Sequence, residues 1–202
     1  FIFGSIVLLV VLIYGLAINA PNFIHKPIVL ETGRMLSKPM ELGSFDLIDH
    51  QGKSFQFGNL ENHWSLIFFG YTQCPDVCPS TIFKLKQIYD LLDRDQEITK
   101  LPQVIFISVD PERDNPETLS EYLTFFDPGF IGITGDQSEI KKITSTMSVY
   151  YEKAEQNEDS DSYSMNHTAS IFLTNEKGRL VASFRPTASP EELTKDIKKI
   201  LL

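Results

Sequence analysis

The segment that most constrains the fold of this chain is residues 66–79, LIFFGYTQCPDVCP, where an apolar run leads straight into the chain's only two cysteines. The apolar run predicts a buried strand, with Gly70 as the turn after it. Pro79 suits the first turn of a helix, where its missing N–H costs little. Cys74 and Cys78 would then lie at the positive end of a helix dipole, which favours thiolates over thiols. A strand, a cysteine loop and a helix in this order predict a site for a soft metal or for nucleophilic sulfur chemistry.

A cysteine pair also has simpler explanations. The two residues can form a structural disulfide, or they can be small hydrophobes within a core. A disulfide that closes so short a loop stabilises a fold little, because little loop entropy is removed from the unfolded chain. The position between a strand and a helix therefore makes a metal or redox site the leading hypothesis.

The first 20 residues differ from the rest of the 202-residue chain, because they carry no charge and consist mainly of Phe, Ile, Val and Leu. They are about as long as a helix that spans the roughly 30 Å hydrocarbon core of a bilayer, so they predict a transmembrane anchor. A cleavable signal peptide is the alternative, but Ile18 makes AINA a poor cleavage site. Residues 21–42, with prolines and no clear period, predict a juxtamembrane linker, and residues 43–202 the folded domain. With one N-terminal span, that domain is predicted to face the periplasm or an equivalent space.

The charge of the chain limits the partners it can have. A net charge of −9 and a pI near 4.9 argue against nucleic acid, which requires a basic face to neutralise phosphates. Acidic residues concentrate in the polar tract 152–162. This tract has no apolar periodicity and predicts a solvated, mobile loop, with a docking patch for a basic partner as the secondary interpretation.

The folded part alternates between strand and helix patterns. The strands have apolar or alternating runs, and they are predicted at residues 45–57 (a hairpin), 64–69, 104–109, 130–134, 149–152, 169–174 and 180–184. The helices begin near a capping residue or a proline, and they are predicted at residues 79–93, 115–126, 136–147 and 189–202. Strand–helix alternation that ends in a hairpin and a helix predicts an α/β domain with a mixed sheet.

His167 is the candidate for a third ligand. Two thiolates can hold a two-coordinate soft cation, but copper in both oxidation states is better served by an added imidazole. His167 directly precedes a predicted central strand, and a loop residue there can reach the ends of neighbouring strands. The other histidines, His25, His50 and His63, fall in the linker, in the hairpin turn and just before a strand, and they are interpreted as structural or exposed.

Three acidic residues accompany these candidates. Asp110 and Asp114 follow a buried strand, and they could support the site electrostatically or orient a partner. Turn formation and helix capping explain them equally well. Asp76 lies between the cysteines and could contact a metal, but it is better interpreted as the cap of the helix.

Four ordered motifs closely resemble the SCO/SenC family of copper proteins. They are FFGYTQCPDVCP at 68–79, SVDPERD at 108–114, FIGITG at 130–135 and YSMNH at 163–167. The resemblance runs from about residue 42 to the C-terminus and includes the N-terminal anchor. Several motifs in one order are far more specific than the cysteine pair alone.

This resemblance implies a thioredoxin-like domain tethered to the inner membrane, with one copper, Cu(I) or Cu(II), held by Cys74, Cys78 and His167. It implies delivery of that copper to the binuclear copper site in subunit II of cytochrome c oxidase, with other copper chaperones or thiol reductases as further partners. Two departures stand out. Family members commonly have His where this chain has Gln73, and Asp where it has Asn166, so the copper affinity or the carboxylate support near the histidine can differ.

Rival functions use the same two cysteines. A thiol–disulfide oxidoreductase would cycle a Cys74–Cys78 disulfide and reduce that copper site or other periplasmic partners, because a helix N-terminus lowers a thiol pKa. Against it, three residues separate the cysteines instead of two, and His-Thr precedes strand 169–174 where thioredoxin-type reductases place a cis proline. A thiol peroxidase would need a Pro-x-x-x-Thr-x-x-Cys pattern that is missing around Cys74. A copper sensor or store cannot be told from a chaperone by sequence. Because the oxidoreductase also remains an alternative, the sequence leaves enzymatic activity open.

Overall fold

The computed structural model describes residues 28–154 and 163–202. The predicted anchor at 1–20, His25 and most of the predicted acidic loop lie outside the described residues. Among the residues that are described, no helix has both the length and the apolar character needed to cross a membrane.

Within the described ranges the chain forms ten strands, four α-helices and one short 3-10 helix. The strands are β1 (Gly33–Met40), β2 (Asp46–Asp49), β3 (Ser54–Gln56), β4 (Ser65–Gly70), β5 (Gln103–Ser108), β6 (Ile131–Thr134), β7 (Tyr151–Lys153), β8 (Met165–His167), β9 (Ile171–Thr174) and β10 (Leu180–Phe184). The helices are α1 (Val77–Asp93), α2 (Pro116–Thr124), α3 (Gln137–Thr146) and α4 (Pro190–Leu201), with the 3-10 helix at Phe57–Leu60.

A single mixed sheet organises the fold, and its strand order is β1-β10-β9-β4-β5-β6-β2-β3. β4 lies in the middle, parallel to β5 on one side and antiparallel to β9 on the other. All six residues of β4 are buried, which explains why this strand is a continuous apolar run instead of an alternating one. The prediction of an α/β domain with a mixed sheet is confirmed. From the centre of the core, β4 leads directly into residues 70–78, which we call the cysteine loop.

The predicted boundary between linker and domain at residue 43 is wrong. Gly33–Met40 forms β1, an edge strand that pairs antiparallel with β10 and has an irregular register between Met35 and Met40. An edge strand needs only one partner and tolerates a proline such as Pro39, so its sequence shows no clear alternation. Upstream of β1, the backbone N–H groups of Glu31 and Thr32 donate to the Asp196 carboxylate on α4, each at 2.7 Å. The folded domain therefore begins about ten residues earlier than the sequence pattern indicated.

The prediction that His167 lies in a loop is also wrong. His167 ends β8, which pairs antiparallel with β7 in a two-stranded sheet separate from the main one. The register places Tyr151 opposite His167. Strands of three residues are too short to show a period in sequence, so β8 had no signal of its own. We call β7 and β8 the histidine hairpin.

Candidate metal site

The cysteine loop begins with a glycine because nothing larger fits. A Cβ at Gly70, the last residue of β4, would lie 2.8 Å from the Cys78 sulfur and 2.7 Å from the Phe106 ring. The chain then turns, with the Cys74 N–H donating to the Tyr71 carbonyl at 3.3 Å. The strand end and the first turn of α1 are thereby in van der Waals contact, and this contact fixes the position of Cys78.

A buried carboxylate holds the next residue of the loop. Asp114 is fully buried, and it accepts hydrogen bonds from the Thr72 N–H at 3.0 Å and from the Thr72 hydroxyl at 2.5 Å. The Ser108 hydroxyl at the end of β5 donates to the same carboxylate at 2.6 Å. The Asp114 side chain therefore has a structural role that sequence reasoning did not name, since its carboxylate fastens the cysteine loop to the neighbouring strand.

The two thiols occupy unequal positions. Cys78 is the second residue of α1 and is fully buried, whereas Cys74 lies before the helix and is half-buried. The Cys78 N–H donates to the Cys74 sulfur at 3.4 Å. Asp76 takes the N-cap position, but its side chain makes no capping hydrogen bond. The Cys74 sulfur therefore accepts a hydrogen bond from an N–H at the start of the helix. The Asp76 side chain was expected to make such a capping bond.

This difference in position separates the acidities of the two thiols. Burial would raise the pKa of Cys74, but hydrogen bonds from the backbone N–H groups of Asp76, Cys78 and Val77 outweigh it, and the pKa is lowered. Burial raises the pKa of Cys78 well above its ordinary value, and the Cys74 sulfur adds to that rise. The prediction that the helix dipole favours the thiolate at both positions is therefore correct for Cys74 and wrong for Cys78.

His167 points its ring at the thiols. Its Nε2 atom lies 3.4 Å from the Cys78 sulfur, and its Nδ1 atom lies 3.1 Å from the Thr168 carbonyl oxygen. A carbonyl oxygen can only accept, so Nδ1 carries the proton in this contact and Nε2 presents its lone pair to the sulfurs. Burial lowers the pKa of His167, which keeps the imidazole neutral. The rings of Phe68 and Tyr71 pack edge-on against it, with centroids 6.1 and 6.0 Å away.

These three side chains could hold one metal ion. The ligand atoms of Cys74, Cys78 and His167 all lie within 4.8 Å of one another. Bonds of about 2.0–2.3 Å, as in zinc sites built from the same donors, put two ligands of one ion at most about 4.6 Å apart. The group thus fits an ion after movements of a few tenths of an ångström. Two sulfurs and one imidazole nitrogen suit copper, whose Cu(I) form prefers thiolates while imidazole suits copper more generally.

The remaining candidates lie outside this group. Asp110 is buried, but it accepts from the Tyr163 hydroxyl at 2.6 Å and pairs with Arg113 instead of facing the thiols. His50 has a structural role in the hairpin turn, since its Nδ1 accepts from the Gly132 N–H at 3.1 Å. His63 is exposed, as expected.

The two departures from the family pattern occupy different environments. Gln73 accepts a hydrogen bond from Arg113 Nη1 at 3.0 Å, so it belongs to a network beside the site. Asn166 is exposed on β8, next to His167 in sequence. Sequence reasoning missed Arg113 and Tyr163 as neighbours of the site. Their only signal was their presence in two of the four motifs, SVDPERD and YSMNH.

Known proteins resemble this chain over nearly all of its described residues. The family model described as SCO1/SenC matches residues 34–202. A SCO2-like protein of Rickettsia felis is 37% identical over 156 residues, covering 77% of this chain and 75% of that protein. The mitochondrial SCO1 homolog of Homo sapiens is 35% identical over 169 residues, covering 83% of this chain and 55% of that protein.

Solved structures agree with this pattern. Copper-bound ScoI of Bradyrhizobium japonicum is 41% identical and superimposes with a TM-score of 0.68, covering 78% of this chain and 97% of its own. Copper-bound yeast Sco1 is 30% identical with a TM-score of 0.72, covering 78% of this chain and 86% of its own. The fold is accordingly thioredoxin-like, and the two solved relatives are described with copper bound.

Proposed function

The chain belongs to the SCO1/SenC family, and from that premise we propose that it is a membrane-anchored copper chaperone. It binds one copper ion, Cu(I) or Cu(II), through Cys74, Cys78 and His167. It delivers that ion to the binuclear copper site in subunit II of cytochrome c oxidase, the destination that the motif resemblance implies. The observation that carries the proposal is the convergence of two sulfurs and one imidazole nitrogen within 4.8 Å.

The geometry gives each ligand a distinct task. Cys78 is buried and bound into α1, so it is the fixed anchor of the ion. Cys74 is half-buried at the rim, where an incoming donor thiol or imidazole can displace it first. His167 adds a borderline nitrogen donor that stabilises Cu(II) as well as Cu(I). Copper then passes to an acceptor by stepwise ligand exchange that starts from Cys74.

Metal loading is coupled to the redox state of the pair. The thiolate is the ligand, and a Cys74–Cys78 disulfide offers none, so both cysteines must be reduced before copper binds. Binding releases the thiol protons, and the metal takes the place of the proton on the buried Cys78 sulfur.

The location of the protein is part of the proposal. The uncharged segment 1–20 is long enough to anchor the chain in the inner membrane as a single span. A short linker that ends before β1 then leaves the domain in the periplasm, on the side where the copper site of the oxidase would receive its metal.

A transfer experiment tests the chaperone function. The full reduced chain, purified in detergent, is loaded with one equivalent of copper and mixed with the metal-free copper domain of the oxidase subunit. We expect one copper per chain, a visible Cu(II)–thiolate absorption band, and loss of that band as the acceptor fills. Copper that stays on the chain in the presence of excess acceptor would refute delivery, and Cys74→Ala serves as the non-loading control.

The unequal thiols favour a second candidate, a thiol–disulfide oxidoreductase. The half-buried Cys74 thiolate would attack a partner disulfide, forming a mixed disulfide and releasing one partner thiolate. The Cys78 sulfur, as thiolate, would then attack Cys74, releasing the second partner thiolate and leaving a Cys74–Cys78 disulfide. A reductase assay on the His167→Ala variant separates the functions, because dithiol chemistry survives the loss of the imidazole while Cu(II) binding is weakened.

A further inference from the structure

Arg113 contacts both halves of the copper site without being a ligand. Its Nη1 donates to the Gln73 side-chain oxygen at 3.0 Å and to the Tyr163 carbonyl at 2.9 Å. Its Nε pairs with the Asp110 carboxylate. The guanidinium carbon lies 3.6 Å from the centre of the Tyr163 ring, so the cation stacks on that face.

These partners come from three separate parts of the chain. Gln73 directly precedes Cys74 in the cysteine loop, and Tyr163 lies two residues before the histidine hairpin's second strand, β8. Asp110 follows β5 and is buried, and its second oxygen accepts from the Tyr163 hydroxyl at 2.6 Å. One side chain therefore joins the loop that carries a thiol to the hairpin that carries the imidazole.

The burial of this contact makes it strong. The side chains of Arg113 and Asp110 are only 15% and 2% exposed, and charged hydrogen bonds shielded from water are stronger than exposed ones. A second ion pair, Lys153 with Glu112 at 2.7 Å, also joins the hairpin to this segment. Its side chains are 50% and 65% exposed, so it contributes little.

The strands of the hairpin are not hydrogen-bonded into the main sheet, so side chains attach it to the rest of the domain: Met165 packs in the core, and Arg113 makes a buried polar tie. Close to His167, the Thr168 N–H donates to the Tyr150 carbonyl at 2.9 Å, a contact that links the two arms of the hairpin to each other. The Arg113 network instead links the hairpin to the core, through Asp110 at the end of β5.

We propose that Arg113 is a positioning residue for the third copper ligand. It holds the histidine hairpin against the cysteine loop, so that Nε2 of His167 stays beside the Cys78 sulfur. This inference rests on the proposed copper-binding function. The planar guanidinium of Arg113 has N–H donors that point in several directions, so it can bond to Gln73, Tyr163 and Asp110 at once. A lysine ammonium at this position cannot do the same.

The test compares Arg113→Lys with Lys153→Gln, a matched variant that removes the exposed tie to the same hairpin. Both are made in the full chain in detergent. In copper-free protein we expect Arg113→Lys to speed amide hydrogen exchange in β7 and β8 while exchange in β5 and α4 stays unchanged. On loading, Cu(II) affinity falls on the order of 10- to 100-fold, the usual cost of losing a group that orients a ligand. Cu(I) affinity, supported by the two thiolates, falls much less, and Lys153→Gln changes neither.

A double variant shows whether Arg113 acts through the imidazole. In the His167→Ala background, Arg113→Lys is expected to leave Cu(II) affinity where His167→Ala alone puts it. An equal further loss in that background would overturn the proposal, as would uniformly faster exchange across the domain, since both indicate a general structural role.

Tyr163→Leu gives a second way to break the same tie. It removes the stacked ring and the hydroxyl bond to Asp110 but leaves the Arg113–Asp110 pair and the Arg113 bond to the backbone carbonyl at position 163. Because one Arg113 bond to the hairpin remains, we expect the same selective exchange and a smaller Cu(II) loss, and unchanged exchange in the hairpin would refute the inference. If the wild-type chain binds no copper, the proposed function fails, while the exchange measurement on metal-free protein still decides whether Arg113 holds the hairpin.

Discussion

The cysteine loop and the histidine hairpin hold ligands of the same site in opposite ways. The loop continues β4, a strand buried on both faces, and it is fastened by Gly70 and by the Asp114 carboxylate. The hairpin consists of two three-residue strands outside the main sheet. Two ligands are thus fixed by the core of the fold, and the third is placed by side chains that meet over a long sequence distance.

This contrast assigns different chemistry to each region. The dithiol can bind Cu(I) or form a disulfide wherever the hairpin stands, because its geometry is local. The imidazole reaches the thiols only while the hairpin holds its position, so the stability of Cu(II) depends on the hairpin.

Removing the fixed anchor has the largest expected effect. Cys78→Ala should abolish tight binding of both Cu(I) and Cu(II), because a lone thiolate with one imidazole lacks the soft pair that Cu(I) requires. The loss should exceed the roughly 100-fold cost of losing a group that only supports a ligand. Competition titrations with chelators of known affinity measure it, and unchanged copper stoichiometry would remove the dithiol from the site.

Removing the imidazole should separate the two oxidation states of copper. His167→Ala is expected to weaken Cu(II) at least about tenfold more than Cu(I), a difference of about 1.4 kcal/mol. The visible Cu(II)–thiolate spectrum should shift or disappear while Cu(I) still binds with one ion per chain. Equal losses for both ions would show that the hairpin is as integral to the site as the cysteine loop.

A substitution at Asp196, which ties α4 to the segment before β1, should lower the free energy of unfolding without altering the copper site. Burial would raise the pKa of Asp196, but Lys199 and the N–H groups of Thr32 and Glu31 outweigh it, so the pKa is lowered. A lowered pKa in the folded state adds stability above about pH 4 and loses it as the pH falls through the folded value. Asp196→Asn should therefore unfold more easily at pH 7, by about 1.5–3 kcal/mol, the usual worth of a hydrogen bond to a charged group.

Denaturant titrations at several pH values check this scaffold prediction. The difference between Asp196→Asn and the unmodified chain should shrink as the pH falls below about 4. Copper spectra at pH 7 should coincide for the two proteins. A changed spectrum would mean that the edge of the sheet is coupled to the site, which would weaken the contrast between the main sheet and the separate hairpin.

The sequence predicted the cysteine loop well and the position of the histidine hairpin poorly. The strand, glycine turn and helix around Cys74 and Cys78 are encoded in adjacent residues, so their pattern predicts their geometry. The position of His167 depends on a hairpin with three-residue strands, and Arg113 bonds to Gln73 and Tyr163, which lie 40 and 50 positions away from it in sequence. Neither hydrophobic periodicity nor the spacing of motifs in the sequence indicates contacts between residues this far apart. The unequal thiols were missed for a similar reason, since the helix dipole is local but the burial of Cys78 comes from tertiary packing.

The smallest expected effect concerns Gln73, where the network touches the cysteine loop. Gln73→Leu removes one exposed acceptor of Arg113 but leaves the Tyr163 carbonyl and Asp110 in place. A hydrogen bond of this kind is worth about 0.5–1.5 kcal/mol, so Cu(II) affinity should fall about twofold to tenfold. Gln73→His, the residue common in the family, keeps an acceptor nitrogen and should lose less. Equal losses in the two variants would show that the bond between Arg113 and the loop carries none of the effect, and that Arg113 acts on the hairpin alone.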